Sequence, residues 1–240
     1  MKTTDTCHTC TNDQCIRNVP LFASLPMEAV HTLTQQMEHK RYKKGEILVH
    51  EGDRADGFTV IREGSAKAYR ITADGREQIL YIFPVHDYYG ARFLLTESEV
   101  PYTVEALEET EVCILSTRQF RTLLYSHPEV AIEIIEAMAN RMRVLEGIMQ
   151  SMGGRNAELR IASLLLEFRK PYGRKVGGIE EIHLPLSREG LANYLGLARE
   201  TLSRKLSELE EEGIIALVGP RVVQILEEDR LVALSTTLGL

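Results

Sequence analysis

The sequence predicts an α+β fold with an N-terminal antiparallel sandwich or barrel, one long helix, and a C-terminal helix pair followed by a hairpin. In residues 42–115, short runs rich in β-branched and aromatic residues alternate with glycine turns about every ten residues, as in antiparallel sheets. In residues 129–152 the apolar residues recur at helical intervals. In residues 184–215 a glycine separates two short amphipathic segments, which is typical of a helix-turn-helix.

The composition is that of a globular protein large enough for two domains. The 240 residues are 44% hydrophobic and 26% charged, as in proteins that fold in water. No apolar run approaches the roughly 20 residues of a membrane span, and no secretion signal follows the N-terminus. We therefore expect a cytoplasmic protein. The net charge of −7 argues against wholesale binding of nucleic acid, so phosphate contacts would need a local basic surface.

We divide the chain into four parts. Residues 1–18 form a polar, cysteine-containing leader, residues 19–128 the sandwich domain, residues 129–154 the long helix, and residues 155–240 the C-terminal domain. The sandwich domain opens with a helical stretch over residues 19–39. Its predicted strands include residues 47–49, 58–61, 66–69 and 79–83, with turns at Gly45, Gly52, Gly64, Gly75 and Gly90. In the C-terminal domain, residues 156–168 form a helix and residues 171–178 a loop.

The long helix carries an apolar stripe whose members are separated alternately by four and three residues. This is the heptad spacing of a coiled-coil seam, although one face of a helix packed on its own domain gives the same pattern. The stripe is long and narrow and has charged flanks, which favours a homodimer with an interface formed by Ile135, Met138, Met142, Leu145, Met149 and Met152.

The helix pair has clear start and stop signals. Ser187 is a good N-cap for the first helix, and Gly196 ends it because glycine tolerates a left-handed backbone. The second helix extends over residues 198–212, with Leu202, Leu206 and Leu209 on its buried side. Residues 214–218 and 222–225 then predict a hairpin around the Gly219–Pro220 turn. Together these elements predict a winged helix-turn-helix.

The second helix carries residues that can recognise bases. Glu200, Ser203 and Arg204 are three and four residues apart and share one face. A guanidinium can bond both acceptors of guanine, and a carboxylate can accept from the amino group of cytosine. Plain packing of a helical hairpin is the alternative. We predict DNA contacts from Glu200, Ser203, Arg204, Arg199, Ser187 and Lys205. A symmetric dimer would then recognise a palindrome whose half-sites lie about 34 Å apart.

Four cysteines are the candidate sensor. Cys7, Cys10 and Cys15 lie close together in the leader, and Cys113 lies in a strand-like run. A lone cysteine in such a run is most often a buried apolar residue. Three thiols at close spacing in a cytosolic protein instead indicate metal or redox chemistry. The four thiolates could hold a [4Fe-4S] cluster or zinc, with His8 as a substitute ligand. A pair of them could also form a regulatory disulfide.

The order of domains resembles the CRP/FNR superfamily of bacterial transcription regulators from about Leu21 to Leu226. The most specific part is Leu-Gly-Leu-Ala-Arg-Glu-Thr-Leu-Ser-Arg over residues 195–204, which is similar to the recognition helix of the FNR branch. The resemblance implies that the sandwich is a β-roll of the cyclic-nucleotide-binding type. It also implies RNA polymerase as a partner and a palindrome similar to TTGAT-N4-ATCAA.

The resemblance further implies how the protein senses its signal. Oxygen-sensing FNR proteins carry three N-terminal cysteines and a fourth at the position of Cys113, which favours a [4Fe-4S] cluster on Cys7, Cys10, Cys15 and Cys113. The spacing departs by one residue between the second and third cysteines. Some FNR-like proteins use a disulfide instead. The glutamate and arginine that bind a cyclic nucleotide in the CRP branch are missing around Arg92 and Tyr102, so a cyclic nucleotide is not expected.

An enzyme and an effector-binding regulator are the two other functional classes to consider. The sequence has no G-x-S-x-G, H-E-x-x-H or phosphate-loop motif, so we expect no enzyme. A regulator whose sandwich binds a small-molecule effector, with incidental cysteines, is the second alternative.

Overall fold

The computed structural model describes residues 16–55, 57–152 and 157–236, except for the side chains of residues 141 and 143–152. Within this part of the chain, no helix is both long and apolar enough to cross a membrane. Contacts divide the chain into two compact units. The described residues up to Asn140, without Glu77–Ile79, form the first unit, and Arg141 onwards belongs to the second.

The first unit contains two four-stranded antiparallel sheets. The first sheet has the order β1-β8-β3-β6 and the second the order β2-β7-β4-β5. The strands are β1 (Glu38–Tyr42), β2 (Ile47–Val49), β3 (Gly57–Glu63), β4 (Ala66–Ile71), β5 (Glu77–Phe83), β6 (Tyr88–Tyr89), β7 (Thr103–Ala106) and β8 (Thr110–Ser116). The predicted strand runs are thereby confirmed. All five predicted turn glycines have positive φ values, between 78° and 101°, which favour glycine.

The helices of the first unit flank these sheets. They are α1 (Met27–Gln36), α2 (Ala91–Thr96), α3 (Thr117–Ser126) and the part of α4 (Pro128–Met152) before Arg141, with a 3-10 turn at Pro20–Phe22. The predicted helical stretch over residues 19–39 is therefore wrong at its end. Met37 is already extended, and residues 38–42 form β1 because their backbone pairs with β8. Their charged side chains gave no strand pattern.

Strand β8 connects two separate hydrophobic cores, because successive side chains point to opposite faces of a sheet. Val112 and Ile114 lie in the core between the two sheets. Cys113 and Leu115 point to the other face, into a core that the sheet forms with the helices. That second core includes Ile16 at one end of the described chain and both Val130 and Ile134 of α4.

Helix α4 spans 25 residues, which confirms the long helix predicted over residues 129–152. Val130 and Ile134 are almost fully buried in the first unit. A different face of the same helix is exposed and apolar. Its exposed members are Ile132, Ile135, Met138 and Met142.

The second unit is a helix-turn-helix with a four-stranded sheet in the order β11-β12-β10-β9. Its elements are α5 (Ala157–Tyr172), β9 (Gly173–Val176), β10 (Ile179–His183), α6 (Arg188–Leu195), α7 (Arg199–Glu211), β11 (Ile215–Leu217), β12 (Val222–Ile225) and α8 (Glu228–Thr236). The loop predicted over residues 171–178 is wrong. Strand β9 has mostly exposed side chains and exists through backbone pairing with β10, so it has no alternating apolar pattern.

Candidate functional site

The turn between α6 and α7 is built from the predicted caps. The hydroxyl of Ser187 accepts a hydrogen bond from the backbone N–H of Gly190 at 3.2 Å, which pairs a donor left open at the helix N-terminus. Gly196 ends α6 with φ 63° in the left-handed region. Helix α7 then begins at Arg199, after Ala198 as its N-cap. The local signals of the sequence therefore place both helices.

Helix α7 separates a buried face from an exposed face. Leu202, Leu206 and Leu209 are at most 2% exposed and fix the helix on the domain. On the other side four polar residues are exposed, and these are Arg199, Glu200, Ser203 and Arg204. Their side chains are available to a partner along one stripe of the helix.

Arg204 and Lys205 differ in their surroundings although they are adjacent. The side chain of Arg204 is 67% exposed, and its Nη1 lies 3.7 Å from Oε1 of Glu208, beyond hydrogen-bond length. The Nζ of Lys205 lies 2.5 Å from Oε2 of Glu208 and 3.7 Å from Glu158 of α5. The hydrogen bond to Glu208 raises the pKa of Lys205. Lys205 thus pairs with carboxylates at the half-buried side of the helix, away from the exposed stripe.

Two arginines lie at the ends of α6 in surroundings that the sequence did not predict. Nη1 of Arg160 in α5 donates to the backbone carbonyl of Leu195 at 2.9 Å and so caps the C-terminus of α6. Arg188 begins α6 with Nη1 buried and without a hydrogen-bond partner in the described chain. Burial lowers the pKa of Arg188. No local pattern predicts the contact of Arg160, because Leu195 is 35 residues away in the sequence.

The wing follows α7 as predicted. Strands β11 and β12 pair antiparallel, and Gly219 in the turn has φ 85°. The adjoining β10 carries Glu181, which is 7% exposed. Its Oε1 accepts from Nη2 of Arg174 at 2.7 Å. This bond, with further bonds from His183 and Gln224, lowers the pKa of Glu181 to about 2.

Cys113 is the one predicted sensor cysteine that lies in the described chain. It is 1% exposed and has His39 of β1 and Val60 of β3 directly opposite. Its Sγ lies 3.4 Å from Nδ1 of His39. Burial, and secondarily the charge of Arg62, lowers the pKa of His39. His39 is a site residue that sequence reasoning missed.

The other sensor cysteines, Cys7, Cys10 and Cys15, lie outside the described residues, as does His8. Ile16, the neighbour of Cys15, is 1% exposed and belongs to the same core as Cys113. No group of three or more metal-binding side chains occurs within residues 16–55, 57–152 and 157–236.

The interior of the sandwich is filled by aromatic side chains in the region where the sequence lacks the cyclic-nucleotide residues. Five rings, of Tyr81, Phe83, Tyr89, Phe93 and Tyr102, pack in four pairs with centroids 5.5 to 6.2 Å apart. Arg92 is exposed, with its guanidinium 4.8 Å from the centroid of the Phe93 ring. A phosphate placed among the five rings would lose water and meet uncharged aromatic side chains.

Three of the six residues of the predicted dimer stripe have described side chains. Ile135 is 65%, Met138 37% and Met142 61% exposed, which is high for apolar side chains on one helix face. The side chains of Leu145, Met149 and Met152 lie outside the described residues.

Comparison with known proteins gives the family. Residues 39–127 match the family model of the cyclic nucleotide-binding domain, and residues 159–234 match that of the Crp-like helix-turn-helix domain. The transcriptional activator protein Anr of Pseudomonas protegens is 30% identical over 88% of this chain and 86% of its own length. The transcriptional activator protein FnrL of Cereibacter sphaeroides is 30% identical over 93% of this chain and 90% of its own.

A solved structure agrees with these relatives. The structure of FixK2 from Bradyrhizobium japonicum is similar at a TM-score of 0.74 and 27% identity, covering 85% of this chain and 99% of that chain. The α+β fold class and the resemblance stated from the sequence are confirmed. The chain therefore belongs to the CRP/FNR family of transcription regulators, which are not enzymes and which bind DNA as dimers through the helix-turn-helix.

Proposed function

We propose that this regulator binds an FNR-type palindrome similar to TTGAT-N4-ATCAA as a homodimer and responds to oxygen or redox state through its four cysteines. The observation that carries the DNA-binding half is the exposed stripe of α7. The observation that carries the sensing half is the position of Cys113, in the core that also holds Ile16 and the start of α4.

The exposed stripe supplies both kinds of base contact. Arg204 is free of a short ion pair and can donate both of its terminal N–H groups to guanine, while Glu200 can accept from the paired cytosine. Ser203 lies between them on the same face. Arg199 and Ser187 would hold phosphates. We leave Lys205 out of the proposed contacts, because Glu208 and Glu158 already neutralise its ammonium.

The dimer would form along α4. Ile135, Met138 and Met142 expose apolar surface at heptad spacing, and a second copy of the helix would bury it. We assign Leu145, Met149 and Met152 to the same interface from their spacing alone. Two recognition helices would then face successive major grooves about 34 Å apart.

The surroundings of Cys113 fit an iron–sulfur ligand. The sulfur is buried among apolar side chains that exclude water, and an imidazole nitrogen of His39 lies within hydrogen-bond reach. Soft thiolates are the donors that [4Fe-4S] clusters prefer. Cys113 with Cys7, Cys10 and Cys15 would hold the group. When bound, it supplies a cross-link between leader and sandwich that oxygen can remove.

The shared core explains how the leader could act on DNA binding. Ile16 follows Cys15 directly, and it packs in the same cluster as Cys113 and as Val130 and Ile134 of α4. Release of the leader would loosen this packing at the base of the dimer helix. The described seam residues, Ile135, Met138 and Met142, are all uncharged, so we expect the dimer to persist in both states. The switch would then act on the orientation of the two subunits. Activation or repression would follow from contact with RNA polymerase.

Four other kinds of sensor would have different requirements from an iron–sulfur cluster. A disulfide between Cys113 and a leader thiol would form beside the same core, which holds both Ile16 and Cys113. Zinc would need the same thiols. A cyclic nucleotide is disfavoured by the five packed rings and by the outward position of Arg92. A different small-molecule effector would leave the redox response independent of Cys113.

A gel-shift titration with and without oxygen tests the proposal. Anaerobically purified protein should carry about four irons per chain and absorb at about 400 nm. It should bind the palindromic duplex more tightly than the same protein after exposure to air, at one fixed salt concentration. Cys113→Ser and Cys113→Ala should both abolish the difference, because both remove the sulfur, the first leaving a hydroxyl and the second only a methyl group.

Two outcomes separate the alternatives. Colourless protein with one zinc per chain, or an iron-free protein whose response disappears with a reductant, would replace the cluster by zinc or a disulfide and leave DNA binding intact. An unchanged oxygen response in both Cys113 variants would contradict the sensing half altogether.

A further inference from the structure

His39 occupies an unusual place on β1. The other residues of this strand are exposed or half-buried, whereas His39 is 8% exposed. It lies directly opposite Cys113 in the antiparallel register, where side chains of paired residues are neighbours on one face. Its Nδ1 therefore reaches the sulfur at 3.4 Å. An aliphatic side chain would fill this apolar core without burying a polar atom. The presence of an imidazole here therefore indicates a role other than packing.

The ring makes only half of its hydrogen bonds. Nε2 of His39 is buried and has no hydrogen-bond partner within the described part of the chain, and a buried polar atom without a partner costs free energy. The nearby charged side chains pair with one another and not with His39, because Arg62 and Arg41 both pair with Glu111. Packing and ion pairing thus give no account of the histidine. The contact with Cys113 does.

The chemistry of the sulfur decides which ring nitrogen carries the proton. An imidazole can carry its N–H on either ring nitrogen. A thiolate bound to metal has no proton to give and can only accept. The tautomer with hydrogen on Nδ1 is then the one that bonds Cys113. A hydrogen bond to a ligand sulfur withdraws charge from it, which raises the reduction potential of an iron–sulfur group.

We propose that His39 is the positioning residue of the sensor: its Nδ1–H donates to Sγ of Cys113, orients this ligand and stabilises its negative charge. This inference rests on the proposed function, since it assumes that Cys113 is the sensor sulfur. It predicts that the oxygen sensitivity of the protein is set in part by a residue on β1, outside the cysteine motif. Partners of metal ligands commonly change affinity or activity by 10–100-fold when removed.

Three variants of the full chain test the role of the N–H group. His39→Leu removes the donor and keeps an apolar side chain of similar size. His39→Asn keeps an N–H donor at the position of Nδ1. His50→Leu, at an exposed histidine, is the control for histidine loss. Each is purified and reconstituted without oxygen, and iron content, the iron–sulfur stretching frequencies in resonance Raman spectra and the midpoint potential are measured. The rate of bleaching near roughly 400 nm in air-saturated buffer is the fourth readout.

We expect His39→Leu to load iron but to show a more negative midpoint potential, altered iron–sulfur stretching and roughly tenfold faster bleaching. His39→Asn should restore most of the difference, and His50→Leu should match the wild type. A merely structural histidine would change thermal stability without changing the potential or the spectrum. If iron-loaded His39→Leu matches the wild type in both, the inference is overturned and the proposed function stands. If the wild type itself holds no iron, this inference and the cluster part of the proposed function are overturned together, and DNA binding is left intact.

Discussion

Arg204 offers the sharpest test at the scale of single residues. Its side chain is exposed on α7, where it can bond both acceptors of one guanine. Arg204→Ala should therefore weaken binding to the palindrome by roughly 1–3 kcal/mol and relax discrimination at that guanine. The measurement is a gel-shift titration on the palindrome and on duplexes with the G·C pair replaced.

Arg199→Ala is the matched comparison, since Arg199 is exposed on the same helix but is assigned to phosphate. It should weaken binding to all duplexes equally and reduce the salt dependence. Equal losses on matched and mismatched duplexes for Arg204→Ala would mean that Arg204 does not recognise a base.

The residues predicted from sequence were those with local causes. Ser187 and Gly196 were predictable because the ends of helices favour these residue types. The exposed face with Glu200 and Arg204 was predictable because the helical period separates it from the three buried leucines. Lys205 and Arg204 look equivalent in the sequence, and only the packing of α5 beside α7 separates them. His39 and Arg160 carry no local signal, because their partners are 74 and 35 residues away.

Glu181 gives a pH-dependent test at the scale of the wing sheet. Hydrogen bonds, first from Arg174, hold the pKa of its carboxyl at about 2, against 4.5 in the unfolded chain. A depressed pKa stabilises the folded state above the unfolded value and loses this effect as pH falls through the folded value. Glu181→Gln should thus be less stable than wild type at pH 7, and the difference should shrink between pH 4.5 and about 2.

Urea denaturation of the two proteins across this pH range measures the effect. Glu189→Gln, at an exposed carboxylate of α6, should have nearly the same free energy of unfolding as the wild type at every pH. A Glu181→Gln difference that stays constant down to pH 2 would show that the carboxylate acts by shape and not by charge.

The packing of α7 gives a second test at the scale of elements. Leu206 is 2% exposed, so Leu206→Ala should leave a cavity and lower the free energy of unfolding by roughly 2–5 kcal/mol. Ser207→Ala, at the neighbouring exposed position, should change it by less than about 0.5 kcal/mol. Chemical denaturation of both variants checks this, and equal effects would contradict the assigned buried face.

The elements whose apolar residues recur at regular intervals were predicted from the sequence. The strands that form only through backbone pairing with a neighbouring strand were not. The turn spacing and β-branched runs gave β2 to β5, and the heptad gave α4. Strands β1 and β9 are rich in charged residues and pair through their backbones, so they have no apolar alternation. The sequence also could not show that Cys113 faces the helical core, since this depends on which neighbours β8 acquires.

At the scale of the whole molecule, the stripe on α4 should hold the dimer. Met142→Glu places a charge within apolar surface that the partner helix would bury, and desolvating it opposes association. We expect the dissociation constant of the dimer to rise roughly tenfold or more. Asn140→Glu adds the same charge on the opposite side of the helix, and the dimer should persist. Sedimentation velocity measures both, and a stable Met142→Glu dimer would move the interface elsewhere.

The central claim is that two chains present two matched recognition helices to one palindrome. Sedimentation equilibrium of the chain mixed with a duplex containing TTGAT-N4-ATCAA, without oxygen, tests it most directly. The account predicts two chains per duplex, and a large loss of affinity when either half-site is scrambled. One chain per duplex, or equal affinity for the intact and the half-scrambled site, would contradict it.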